Sequence, residues 1–274
     1  MKNILVLTDF SIASLHALEY CCIVSCQLKP AKVILYHSYA TITEDADAES
    51  EESTPENFYN LSITRLQNLI DGPLKKYADR LSFAAAASDR TLEDGINDFC
   101  EANEVDLIIM GAGGKNKKAV GSTAVTMVDV AHYPVMAVPV NAALNTVQSV
   151  VFASDLQPME RSIEERIIRF FRAAHPKLYV LNVDRKERNF GPESSFELRE
   201  LHSLLEEFNP EFIFTEDADT VEGVERITKE KSASLLITIH KERSWLYRLL
   251  HPSVTEELAV HHNTVLLSLY NGEK

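Results

Sequence analysis

Residues 4–9 read Ile-Leu-Val-Leu-Thr-Asp, and residues 150–155 read Val-Val-Phe-Ala-Ser-Asp. Each is a compact apolar run that stops on a hydroxyl residue followed by an acid. Short apolar runs bounded by turn residues are the mark of a strand buried on both faces. Working outward from the first, Ile12–Leu28 has helical character, with Ala13, Leu15, Ala17, Leu18, Cys21 and Cys22 available for burial. A strand follows at Val33–Tyr36, and an acidic Ser/Thr-rich loop runs from Thr41 to Glu56. A helical stretch from Phe58 to about Arg80 is interrupted at Gly72-Pro73. A weaker strand at Leu81–Ala87, a helix at Leu92–Ala102, a strand at Val105–Met110, a helix at about Ser122–His132 and a strand at Val135–Val138 complete the unit.

The order then repeats. Behind Val150–Asp155 come a helix from about Met159 to Ala174, a strand at Leu178–Val183 and a helix from about Ser195 to Phe208. A strand at Glu211–Phe214, a helix at Val221–Lys231, a strand at Leu235–Ile239, a helix near Ser253–His261 and a strand at Val265–Leu269 follow. The offset between copies is 146 residues at Asp9 and Asp155 and 128 at Leu107 and Leu235. The acidic loop of the first copy accounts for most of the difference. Apolar strands alternating with amphipathic helices predict a parallel sheet covered on both faces, with right-handed crossovers. The expected domains are residues 1–143 and 144–274. Ligands of such sheets sit beyond the carboxyl ends of the strands, where Asp9, His37, Ser38 and Gly111 all fall.

Composition narrows the function. The 274 residues carry 27 basic and 41 acidic side chains, a net charge of −14 shared by both halves. That sign disfavours sequence-independent binding to nucleic acid or anionic lipid. No apolar run approaches the roughly 18 residues of a membrane span. The apolar start is too short for a secretory h-region of about 7–15 residues, so the expected location is cytoplasmic. Four cysteines without CxxC spacing read as reduced, mostly buried thiols.

Four of the nine glycines, Gly111, Gly113, Gly114 and Gly121, lie between a strand and a helix, with Lys115, Lys117 and Lys118 among them. Glycines allow close backbone approach to a phosphate, and Ser122 and Thr123 can cap the helix whose free N–H groups attract anions. A flexible turn with solvated lysines explains the same residues. Asp9 likewise reads either as a ligand contact or as a cap of the following turn.

These features together resemble the universal stress protein family in its tandem form: Ile4–Ser11, the strand Asp106–Met110 with its glycine loop, Gly121-Ser122, and His132-Tyr-Pro134-Val135. The resemblance implies two tandem Rossmann-like domains of the adenine nucleotide alpha hydrolase type. Each would be an α/β fold with a parallel five-stranded sheet of order 3-2-1-4-5. It also implies intramolecular pairing of the domains as a pseudo-dimer, with a homodimer as a further option. The implied cofactor is ATP or another adenine nucleotide, with Mg²⁺. Carried over, Thr8 and Asp9 would lie near the adenosine. His37 and Ser38, just after the second strand, would line the adenine. Gly111, Gly114, Gly121, Ser122 and Thr123 would hold the phosphates. Only six residues separate Gly114 from Gly121 where the family pattern has nine, which either tightens the cradle or collapses it.

The second copy places Ile239, Glu242 and Pro252 where glycines belong, so it is not expected to bind nucleotide in the usual way. The segment around Trp245, the only tryptophan, would plug that cleft or pack on the other domain, with an exposed protein-binding patch as the alternative. His251, His261 and His262 have no acid or cysteine spacing that completes a metal site. The leading reading is a stress-response regulatory or protective binding protein, not an enzyme. A weak ATPase and a ligand-free module for an unidentified protein partner remain as rivals.

Overall fold

The computed structural model describes residues 1–40, 54–112, 122–184, 192–240 and 264–270. It divides into two compact units, Met1–Val140 and Asn141–Lys274.

The first unit runs β1 (Asn3–Leu7), α1 (Ile12–Leu28), β2 (Lys32–Ser38), α2 (Pro55–Asp71), β3 (Phe83–Ser88), α3 (Leu92–Ala102), β4 (Val105–Ala112), α4 (Ser122–Val130) and β5 (Val135–Pro139). All neighbouring strands are parallel, in the order β3-β2-β1-β4-β5. Right-handed crossovers put α1 and α2 on one face of this sheet and α3 and α4 on the other. The central strands have no solvent face, and Ile4, Leu5, Val6, Leu35, Ile108 and Ile109 are fully buried.

Local chemistry sets the helix ends. The Ser11 side chain caps α1 by accepting from the Ser14 amide, and Lys29 closes the helix in the left-handed region. Thr54 caps α2, Pro55 occupies its first turn, and the helix stops at Gly72. The break expected at Gly72-Pro73 is present, and a separate 3₁₀ turn follows at Lys75–Tyr77. Cys21, Cys22 and Cys100 are buried, and desolvation pushes their thiols upward, away from reactive thiolate.

The second unit runs β6 (Ser149–Ala153), α5 (Arg161–Ala174), β7 (Lys177–Asp184), α6 (Pro192–Leu205), β8 (Glu211–Glu216), α7 (Thr220–Glu230), β9 (Leu235–His240) and β10 (Val265–Tyr270). Its order is β8-β7-β6-β9-β10, again all parallel, so both units have the expected 3-2-1-4-5 arrangement. The helix expected near Ser253–His261 and the Trp245 segment lie outside the described residues.

The duplication extends to single hydrogen bonds. In the first unit Thr8 Oγ1 accepts from the Phe10 amide at 3.0 Å, and Asp9 Oδ1 accepts from the Ser11 amide at 2.9 Å. In the second, Ser154 Oγ accepts from the Leu156 amide at 3.1 Å, and Asp155 Oδ1 accepts from the Gln157 amide at 3.2 Å. Phe10 and Leu156 both sit in the left-handed region, with φ of 61° and 54°. That conformation is unfavourable for a bulky residue, and the side-chain acceptor two residues earlier offsets the cost in each copy.

The copies differ where these turns enter a helix. α1 begins at Ile12, while α5 begins at Arg161, three residues later in register. α1 lies close against β4 and β5, and among the described residues α5 makes no comparably close approach to β9 or β10. The cause is Gly111. A Cβ there would stand 2.7 Å from the Ala13 carbonyl carbon and oxygen and 3.0 Å from the Ser14 amide nitrogen. The second unit has Ile239 at the equivalent place, buried in β9, so its helix cannot come as near.

Asn97 closes the far side of the first unit. Its Nδ2 donates to the Val130 carbonyl at 2.9 Å, and its Oδ1 accepts from the His132 amide at 2.9 Å. Both groups belong to the end of α4, whose last carbonyls lack helical partners. Asn97→Ala is expected to cost about 1–3 kcal/mol, the penalty for orphaning such groups. Urea denaturation checks it, and an unchanged midpoint would count against this tie.

Candidate functional site

The carboxyl ends of β1, β2 and β4 meet the first turns of α1 and α4 around a cavity of about 170 Å³. Its lining includes Thr8, Asp9, Ser11, Ser14, His37, Ser38, Gly111 and Thr123. The strand order reverses between β1 and β4, and crevices of this fold open at that point.

The lining carries hydroxyls, a carboxylate and an imidazole. Thr8 Oγ1 and Ser14 Oγ lie 3.0 Å apart, and Ser14 Oγ also lies 3.0 Å from the Ser11 carbonyl. Ser38 Oγ donates to the Arg90 carbonyl at 2.7 Å. These hydroxyls direct protons into the protein's own framework and leave lone pairs for the cavity. Burial pushes the Asp9 carboxyl upward, but the hydrogen bonds from the Ser11 side chain and amide and from Ser14 together hold it below the usual carboxylate range. It is therefore an anion at neutral pH.

The start of α4 also lines the cavity, through Thr123 and Ala124. The first amides of a helix have no intrahelical acceptor and carry the positive end of its dipole. The lining thus combines side-chain acceptors from β1, β2 and α1 with the amino-terminal turns of two helices, α1 and α4.

His37 is buried, and its Nδ1 lies 2.8 Å from the Thr8 carbonyl oxygen. Its ring centroid stands 4.7 Å from that of Phe10, and the Arg65 guanidinium sits over the Phe10 ring, 3.8 Å from its centroid. Burial and the Arg65 charge lower its pKa, outweighing the Thr8 hydrogen bond and the charge of Asp9.

Of the residues expected at the site, Thr8, Asp9, His37, Ser38, Gly111 and Thr123 converge on the cavity. His37 and Ser38 are the last residues of β2, not a loop after it as expected; the strand extends because both continue the pairing with β3. Gly111 admits α1 to the sheet, a packing role its place in a glycine run did not suggest. Ser122 opens α4. Gly113, Gly114, Gly121 and the three lysines lie outside the described residues. Ser14 and Tyr36 were not anticipated as lining residues. The Ser11–Ser14 spacing at a helix start was the available signal for Ser14, whereas nothing local marked Tyr36. Among the described residues no group of three or more His, Cys, Asp or Glu could hold a metal ion, and none of their helices is long and apolar enough to cross a membrane. Asp9, the one carboxylate among the described lining residues, is engaged by Ser11, which does not make a cage for Mg²⁺.

The sequence profile described as the universal stress protein family matches residues 1–139. A universal stress protein from Archaeoglobus fulgidus DSM 4304 superposes with a TM-score of 0.70 at 13% identity, covering 98% of each chain. A functionally unknown protein from Pseudomonas aeruginosa PAO1 superposes at 0.58 and 13% identity, covering 98% of this chain and 92% of that one. A universal stress protein family protein from Arabidopsis thaliana, solved with AMP bound, covers 51% of this chain and 92% of its own at 18% identity, with a TM-score of 0.35. A comparison with curated protein sequences found no match.

Proposed function

Because the chain belongs to the universal stress protein family through residues 1–139, we propose that its first unit binds an adenine nucleotide and that the protein is a cytoplasmic stress-response binding protein. The observation that carries this reading is a cavity lined by side-chain acceptors and by the amino-terminal turns of α1 and α4. A ligand that fills it has hydrogen-bond donors, for Asp9, His37 and the serine lone pairs, and an anion, for the start of α4. A nucleotide has both, donors on its base and ribose and an anion in its phosphate.

Binding is favoured over turnover by the state of Asp9. Its hydrogen bonds hold it ionised as a weak base and commit it to the turn, while a general base works best with a pKa near the operating pH. The second unit is not expected to bind in the same way. Ile239 replaces Gly111, α5 starts later, and no counterpart of the Ser11–Ser14 cap opens that helix.

Isothermal titration of the full chain with ATP, ADP and AMP tests the reading. One site per chain is expected, with Asp9→Asn weakening it by about tenfold, as for loss of one charge-assisted hydrogen bond of about 1.5 kcal/mol. No heat with any of the three would overturn it. Two equal sites would overturn the assignment to the first unit alone.

A further inference from the structure

We infer that the outer edge of β8 is a docking site for an extended basic segment of another protein, which adds to the second unit's sheet as a further strand beside Phe212 and Phe214. The inference is independent of the nucleotide reading and concerns the other unit.

The two copies differ at this edge. Leu35 and His37 of β2 lie beside Ala85 and Ala87 of β3, while their counterparts in β7, Val180 and Asn182, lie beside Phe212 and Phe214 of β8. The first copy therefore has Ala84–Ala87 where the second has Glu-Phe-Ile-Phe. Methyl side chains let α2 lie close against β3, and among the described residues α6 makes no comparably close approach to β8. Rings stand between them. His202 of α6 stacks on Phe212 with centroids 5.3 Å apart and planes at 11°, and Phe212 stacks on Phe214 at 6.5 Å and 10°. Phe214, at the end of this row, is 49% exposed.

The position of the strand says how a partner would engage it. β8 closes the sheet order, with β7 on one side and, among the described residues, no strand on the other. An edge strand is a template for pairing with a further chain through backbone hydrogen bonds. Alternate side chains of a strand point to opposite faces, so Phe212, Phe214 and Glu216 share one face and Ile213 belongs to the other.

Charge selects the occupant. Two copies of β8 aligned antiparallel over their full length would set Glu211 of one against Glu216 of the other at both ends, and like charges directly opposite are destabilising. A strand that carries cations there meets the opposite sign. Residues 196–217 hold seven acids against one arginine, a net −6 of the chain's −14. Glu211 is shared with Lys231 at 2.6 Å, whereas Glu216 is exposed and has no cation partner among the described residues. A guanidinium both pairs with a carboxylate and packs flat on an aromatic ring. Arginine at alternate positions would serve Phe214 and Glu216 on one face, and aliphatic residues between would cover Ile213 on the other.

The test measures fluorescence anisotropy of a labelled Arg-Val-Arg-Val-Arg-Val peptide against the full chain, with Glu-Val and Arg-Pro repeats of the same length beside it. The arginine–valine peptide is expected to bind at micromolar concentrations and to slow hydrogen–deuterium exchange in Glu211–Glu216. The acidic repeat should fail through charge, and the proline repeat because it lacks the N–H groups a ladder needs. Phe214→Ala and Glu216→Gln are each expected to weaken binding about fivefold, with thermal unfolding near that of wild type. Glu93→Gln, an exposed acid on α3 of the first unit, should leave binding unchanged. No binding overturns the inference. Equal binding of the proline repeat, or an affinity indifferent to Phe214→Ala, overturns it in favour of diffuse charge attraction. A dimer of the full chain that Phe214→Ala dissociates overturns it by making the occupant a second copy.

Discussion

Gly111→Val is expected to cost the first unit its cavity as well as stability. The new Cβ would lie 2.7 Å from the carbonyl of Ala13 and 3.0 Å from the amide nitrogen of Ser14. Both neighbours are backbone, so no side chain can rotate aside and the first turn of α1 must retreat from β4. Overpacking of this kind costs about 1–3 kcal/mol. Displacing Ser11 and Ser14 adds the loss of a helix cap worth about 1 kcal/mol. The same retreat separates Ser14 Oγ from Thr8 Oγ1, now 3.0 Å apart, and withdraws one wall of the cavity. Nucleotide affinity is expected to fall by more than tenfold, and Gly111→Ala should show a smaller loss of both. Denaturant unfolding and isothermal titration on the same samples decide it. Wild-type values in both would show that the close approach of α1 is dispensable. The second unit already displays the alternative arrangement, with Ile239 in β9 and a helix that begins at Arg161.

Phe171→Ala is expected to be the most damaging single change in the second unit. Phe171 on α5 is fully buried, with ring centroids 6.4 Å from Phe152 on β6, 6.0 Å from Phe170 and 5.5 Å from Phe208. All three contacts are edge-to-face, the favoured geometry for aromatic pairs. Truncating a buried phenylalanine costs about 3–5 kcal/mol, from lost transfer energy and the cavity left behind. Three ring contacts in one cluster argue for the upper part of that range. The cavity would open between α5 and the β6–β7 pair, so hydrogen–deuterium exchange should accelerate first in Ser149–Ala153, Arg161–Ala174 and Lys177–Asp184. A loss below about 1 kcal/mol, or exchange that rises only elsewhere, would show that this cluster is not the centre of the unit.

Much of the fold was legible because its signals are local. Ile4–Leu7 and Val150–Ala153 are unbroken apolar runs, as strands covered on both faces must be, and the helices between strands carry the complementary pattern. Gly72-Pro73 broke α2 where its backbone chemistry said it would. Boundaries were less legible. β2 runs on through His37 and Ser38 because β3 offers them partners, a fact of pairing across 50 residues that no window around position 37 contains.

At the site, residue types were readable and their roles were not. A glycine between strand and helix is compatible with phosphate approach and with close packing alike, and only the position of Ala13 reveals the packing that Gly111 permits. Asp9 and Thr8 resembled ligand contacts, yet each also holds the amide two residues on. His37 read as a lining residue, while its tautomer depends on a carbonyl 29 positions away in the chain.

By itself, then, the sequence determined that one α/β unit is written twice and that the acid-terminated first strand of each copy starts it. Those properties reside in the periodicity of apolar side chains and in the turn residues next to them, which act over a few positions. Tertiary structure alone decided which residues line one cavity, why α1 can approach β4, and which nitrogen of His37 faces the Thr8 carbonyl. Those outcomes depend on donor and acceptor pairing between segments far apart in the chain, and such pairing exists only once the strands have been brought side by side.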